Sequence, residues 1–171
     1  MRSVALAAFA ATLAGCQSIP ADAPRASATL QPTKGSKTNG TADFYEVGGK
    51  VRVVAKVGGL VPGREHGFHV HEAGDCSSDD GMSAKGHFNP FAKPHGHPRS
   101  GERHAGDLPA LRADASGHAS IDTEVDIIRV SPGPASVVGR GLIVHADPDD
   151  YRTQPTGNAG ARLACAVIRR G

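Results

Sequence analysis

The chain has 171 residues and a formal net charge of +2, enough for one domain with a real core, and with no Lys/Arg run it does not look like a polyanion binder. Its 22 Gly and 12 Pro lie between short Val-, Ile- and Ala-rich runs. No long stripe of period 3.6 is present, which argues against a helical bundle, a fibre or a repeat and for a turn-rich all-β domain.

The N-terminus, MRSVALAAFAATLAGCQS, carries one cation, an apolar run over residues 4–15 and then Cys16. This pattern is a secretion signal, too short to span a bilayer as a mature helix. The ending Leu13-Ala14-Gly15-Cys16 is similar to the bacterial lipoprotein cleavage box. That likeness implies a signal peptide of residues 1–15, lipid on the Cys16 sulfur, and an envelope or periplasmic protein whose membrane contact is the anchor alone. An ordinary cleaved leader with an incidental cysteine is the alternative, and either way the domain works outside the cytoplasm. Residues 16–25 are small, polar and Pro-containing, as a flexible tether should be, and the domain proper is expected over 26–171. With Cys16 lipidated, Cys76 and Cys165 remain in an oxidising compartment and are expected to pair.

Short strand-like runs follow over 28–31, 41–47, 50–57 and 66–72, and Gly48-Gly49 is the clearest hairpin signal. Residues 73–107 form a long segment of Gly, Pro, Ser, Asp and His without a period, and a loop of that length in a small domain is usually functional. Strand-like runs resume over 108–112, 119–125, 141–145 and 162–168, interrupted by a second irregular stretch over 146–161. About eight strands with two long excursions point to a Greek-key antiparallel sandwich or flattened barrel.

Nine histidines are a marked excess, and their placement is uneven. In GFHVHEAGDC, residues 67–76, His69 and His71 point to one face of a strand while Phe68 and Val70 point to the other. One face can pack a core while the other offers two nitrogens to one ion. His87, His95 and His104 lie in the first long loop with Asp107 beyond them, and His145 ends another strand. A cluster of imidazoles with few carboxylates points to zinc or copper and away from calcium or magnesium.

Five blocks carry a specific likeness: GFHVHEAGDC, GHFNPFAKPHGHP, GERHAGDLPAL, VVGRGLIVHADPDD and TGNAGARLACAVI. In this order, over about residues 26–168, they resemble the signature blocks of copper-zinc superoxide dismutases. The resemblance implies an eight-stranded Greek-key fold with one copper and one zinc per chain. It makes His69, His71, His87 and His145 the copper ligands and His87, His95, His104 and Asp107 the zinc ligands, with the His87 ring shared. It makes Asp149 the carboxylate that hydrogen-bonds one ligand of each metal. Arg162 becomes the cation that orients the substrate, superoxide, and Thr156 a residue lining its channel. In the family's mechanism one superoxide leaves as oxygen and a second as hydrogen peroxide, with His87 moving a proton between the halves. His66 is expected to pack or hydrogen-bond, His97 not to ligate, and His118 to be exposed.

The chain departs from the family's eukaryotic pattern in its second loop, which is short and lacks a glutamate pair and a lysine; Pro155 stands where that lysine would be. Electrostatic steering of the substrate is therefore in question. Cys76 lies closer to His71 than in eukaryotic members, and this mixed pattern leaves a homodimer and a monomer both open. A rival reading, an envelope protein that binds or delivers copper and zinc, would need neither Arg162 nor Asp149. A copper-only relative would need no zinc ligands.

Overall fold

In the computed structural model, which describes residues 19–171, ten strands follow one another along the chain. They are β1 (Arg25–Pro32), β2 (Asn39–Val47), β3 (Lys50–Gly58), β4 (Glu65–His66), β5 (Phe68–His71), β6 (Leu111–Arg112), β7 (Ala119–Val125), β8 (Gly141–His145), β9 (Arg162–Val167) and β10 (Arg169–Arg170). The expected leader and the expected lipid-bearing Cys16 lie outside the described residues. No helix among the described residues is long and apolar enough to cross a membrane.

Alternation builds the first half of the sheet. In β1 the inward residues are Ala26, Ala28 and Leu30, and in β3 they are Val51, Val53, Ala55 and Val57, each separated by a residue at least partly open to solvent. The second half reads differently. Every residue of β5 and β8 is buried, because one face meets the core and the other lies beneath the long loops. Leu142 and Val144 join the main core, whereas Ile143 packs on the far side with Ala84 and Cys165.

Eight strands form one antiparallel sheet in the order β5-β8-β9-β1-β2-β3-β7, with β10 against β1, and β4 and β6 make a separate pair. The neighbours β5 and β8, and β9 and β1, are far apart in sequence, as the Greek-key expectation requires.

Several expected boundaries move. The run 66–72 breaks at Gly67, whose N–H donates to the Asp147 carbonyl at 2.9 Å and whose own carbonyl accepts from His145 N–H at 2.8 Å, so this residue pairs with the second loop. The run 108–112 shrinks to Leu111–Arg112, since Pro109 has no N–H to give a ladder. The first strand begins inside the segment expected as a tether: β1 starts at Arg25, and the Pro24 carbonyl already accepts from Glu46 N–H at 2.9 Å.

Cys76, in the first long loop, is bonded to Cys165 in β9 across 89 residues of sequence. Closing so long a loop is expected to stabilise the fold by about 4 to 5 kcal/mol in the chain-entropy account. Guanidinium unfolding of a Cys76→Ser, Cys165→Ser protein should show a loss of that order, with a steeper slope because the unfolded chain is no longer held compact.

Candidate metal centre

The strand pleat sets the first ligand-type residues. Phe68 and Val70 enter the core, which turns His69 and His71 to the opposite face. Across the ladder His69 faces Ile143 and His71 faces Gly141. A Cβ on Gly141 would lie 2.7 Å from the Ala73 carbonyl oxygen and 3.4 Å from the His71 Cβ, so the missing side chain leaves that ring its space. Between Val144 and His145 the register slips: Val144 pairs with Ala164 but His145 pairs with Arg162. This bulge re-aims both residues and sets an imidazole and a guanidinium side by side.

The first long loop is laced onto the free edge of β5. Val70 N–H donates to Gly106 O at 2.9 Å, Phe88 N–H to Val70 O at 2.8 Å and Gly106 N–H to Phe88 O at 2.8 Å. Only glycine permits this approach, since a Cβ at position 106 would stand 2.1 Å from the Val70 oxygen. The lacing brings His87 and Asp107 against β5, where they bridge to His71 and His69 respectively.

Two groups of ligand atoms result, His69, His71, His87 and His145 in one and His87, His95, His104 and Asp107 in the other, each with its atoms within 4.8 Å of one another and every residue buried. The outward nitrogens are tied down. His69 Nε2 donates to Asp149 Oδ2 at 2.7 Å, His95 Nε2 to Asp149 Oδ1 at 2.9 Å, and His71 Nδ1 to the Lys85 carbonyl at 2.8 Å. Of the inward nitrogens, His69 Nδ1, His87 Nε2, His95 Nδ1 and His104 Nδ1 are buried without a hydrogen-bond partner, while His71 Nε2 and His145 Nε2 lie 3.3 Å from each other. His95 Nδ1 lies 3.0 Å from Asp107 Oδ1 yet out of hydrogen-bond geometry. Lone pairs converging in a buried space and short of donors fit cations, one per group. His87 faces both groups, with Nδ1 2.9 Å from Asp107 Oδ1 and Nε2 toward the other set.

Asp149 thus joins one ring from each group, as the resemblance implies. The second loop holds it there. A Cβ at Gly157, whose φ is +66°, would sit 1.9 Å from Asp149 Oδ1 and 2.6 Å from His95 Nε2, so no other residue fits. Gln154 grips the backbone of His95 at both ends, accepting from its N–H at 2.8 Å and donating to its carbonyl at 2.9 Å. Neither Gly157 nor Gln154 was expected; a glycine-rich loop offers many glycines, and nothing in a polar loop marks one glutamine.

Arg162 is half-buried, with Nη1 donating to the Gly81 carbonyl at 2.7 Å and Nη2 to the Lys85 carbonyl at 2.6 Å. Its own carbonyl accepts from Thr33 Oγ1 at 2.6 Å, a further contact the sequence does not advertise. His66 is buried and donates from Nδ1 to the His145 carbonyl at 2.8 Å. His97 belongs to neither group and packs its ring 4.7 Å from that of Tyr151. His118 is exposed against Ser116, and Thr156 is half-buried beside Gly157.

Burial holds His71 and His145 well below the ordinary histidine range, helped by neighbouring imidazoles, and pushes His87 down to about 4 against the pull of Asp107. His95 goes the other way: burial opposes its charge, but Asp107 and Asp149 outweigh it and raise the ring to about 9. For Asp107 and Asp149 burial favours the neutral acid, yet the surrounding imidazoles, His87 for Asp107 and His69 and His95 for Asp149, together with backbone N–H donors hold both well below the usual carboxylate range.

These shifts give the metal-free protein a definite pH profile. As pH falls from 6.5 toward 4 the unfolded chain takes up protons that folded His87, His71 and His145 refuse, so stability is lost on that side. His95 contributes fully below 6.5, and its contribution is lost as pH rises through about 9. Thermal scans of the metal-free protein should therefore peak near the ordinary histidine value of 6.5. A profile flat from pH 4 to pH 9 would contradict the burial of these rings.

Residues 38–168 match the family model described as copper/zinc superoxide dismutase. The chain is 45% identical over 135 residues to a copper-zinc superoxide dismutase of Paramecium bursaria Chlorella virus 1, covering 75% of this chain and 71% of that one. It is 38% identical over 149 residues to copper-zinc superoxide dismutase 2 of Aquifex aeolicus, covering 85% and 86%. An extracellular copper-zinc superoxide dismutase of Brugia pahangi is 41% identical over 139 residues, covering 76% and 68%. Among solved structures, the crystal structure of the clock protein EA4 superposes with a TM-score of 0.78 at 40% identity, covering 86% of this chain and 94% of that one.

Proposed function

This chain belongs to the copper/zinc superoxide dismutase family, and from that premise we propose that His69, His71, His87 and His145 hold copper while His87, His95, His104 and Asp107 hold zinc. The protein converts superoxide to molecular oxygen and hydrogen peroxide. The observation that carries the assignment is one ring, His87, turned with a nitrogen toward each of two ligand groups of different chemistry. Four imidazole nitrogens are a donor set that would suit copper, and three imidazoles with one carboxylate one that would suit zinc. Copper supplies the change of oxidation state by which one superoxide gives up an electron and a second receives it.

The residues do the rest. Asp149 fixes which nitrogen of His69 and of His95 carries hydrogen, leaving the inner nitrogens as ligands. His87 Nε2 is the atom that would hold a proton between the two halves. Arg162, opposite His145, meets the small anion with a charge that persists at working pH even though burial lowers its pKa.

The disulfide and the extracellular relative support export. Within that setting we place the protein in a bacterial envelope, anchored by lipid on Cys16 after loss of residues 1–15, with 16–25 as the tether and 26–171 as the domain.

Elemental analysis of the mature protein should give one copper and one zinc per chain, and superoxide should be removed catalytically. His145→Ala should abolish turnover with the circular dichroism of the fold retained. Arg162→Ala should keep both metals and lower kcat/KM about 10-fold. A metal-replete parent protein without activity would sink the reading and favour metal delivery.

A further inference from the structure

Three consecutive residues on the zinc side of the first loop are each held by a different partner. His95 is gripped at both ends of its backbone by Gln154, Gly96 N–H donates to Asp107 Oδ2 at 3.1 Å, and the His97 ring meets that of Tyr151 with centroids 4.7 Å and planes 68° apart. Two rings set edge to face attract each other beyond the area they cover. Gln154 and Tyr151 both come from the second loop. His97 is itself fixed, since its Nδ1 accepts from Arg99 N–H at 3.1 Å and its carbonyl from Ser100 N–H at 2.7 Å.

Tyr151 stands where a glycine would be at ease. Its φ is 57°, in the left-handed region that a bulky residue enters only at a cost. The turn itself is needed, because Asp149 folds its side chain forward and Oδ1 accepts from Tyr151 N–H at 2.7 Å. Glycine would serve that turn without strain, so the backbone alone does not account for the tyrosine. The ring does. It is half-buried, lines a cleft with Pro98 and Pro109, sits against His97, and its hydroxyl meets the Ala110 backbone. Asp149 Oδ1 is also the oxygen that takes His95 Nε2 at 2.9 Å, whereas Oδ2 takes His69. Tyr151 therefore braces the arm of Asp149 that reaches the zinc group, not the arm that reaches the copper group.

We propose that Tyr151 is a positioning residue for zinc: its ring, clasped on His97, fixes the second loop against the first so that Asp149 Oδ1 stays on His95 Nε2 and His95 Nδ1 stays turned inward. It touches no ligating nitrogen and no reacting atom, and the proposal rests on the metal assignment above. A general contribution to the fold would behave differently. Loss of the clasp should loosen zinc and leave copper almost unaffected, and the two halves of the clasp should act as one.

The test uses the chain loaded with both metals and its Tyr151→Gly, Tyr151→Phe and His97→Ala variants, with Tyr151→Gly and His97→Ala combined as a fourth. Release to a coloured chelator is followed separately for zinc and copper, and cobalt placed in the zinc group reports its geometry through its visible bands. Tyr151→Gly should release zinc about 10-fold faster, with copper release changed by less than about 2-fold. His97→Ala should shift zinc in the same direction, and the double variant should be no faster than the quicker single one. Tyr151→Phe should keep both the parent's zinc release and its cobalt bands, which Tyr151→Gly should alter. The proposal fails if Tyr151→Gly releases zinc at the parent's rate, if copper release rises by the same factor, or if the two single effects multiply in the double variant. Should Tyr151→Gly not fold, His97→Ala decides, and unchanged zinc release there would overturn the clasp. A parent that takes up no zinc would instead overturn the metal assignment. Hydrogen exchange at the His95 and Gly96 amides would then read the clasp, faster in Tyr151→Gly if it holds and equal to the parent if it does not.

Discussion

The arrangement turns on one imidazole, His87, that belongs to both ligand groups. His69, His71 and His95 each spend a nitrogen on a carboxylate or carbonyl outside the site, but His87 presents both of its nitrogens inward, one toward Asp107 and one toward the strand histidines. A buried ring in that position is stable only if both faces of the problem are answered together. The geometry therefore couples the two ligand groups: order in the loop around His95 and His104 is transmitted to the strand pair β5 and β8 through a rigid ring, and Asp149 closes the circuit by a second path between His69 and His95. Two independent bridges between the groups make their relative placement far stiffer than either loop could be alone.

Much of this was legible in the chain, for physical reasons. His69 and His71 declare themselves because a strand has a period of two and their neighbours, Phe68 and Val70, are apolar. The order of the strands in the sheet could not be read from periodicity, because pairings such as β9 with β1 join segments more than a hundred residues apart. The break at Gly67 was hidden inside the expected strand run 66–72, since a single glycine does not by itself end a strand.

What remained illegible lies where one loop meets another. Gln154 grips His95 across 59 residues, and no local pattern reports a contact of that kind. The bulge that sets Arg162 opposite His145 depends on one residue of slippage between two buried strands, a change that leaves no mark on hydrophobicity. Lys85 is concealed for the opposite reason: a lysine in a polar loop looks ordinary, and only the dihedral angles show that it occupies a glycine's place.

The lacing of the first loop onto β5 also governs how this protein meets copies of itself. β5 ends the sheet, and without the loop its Val70 N–H and carbonyl would stand open as a template for a strand from another molecule. The far margin, β7, is guarded by charge instead, with Asp122 and Glu124 paired to Arg52 and Lys50. One border of the sheet is thus protected permanently by its own side chains. The other is protected only while the loop stays fastened, so colloidal behaviour and metal retention are governed by the same few backbone hydrogen bonds.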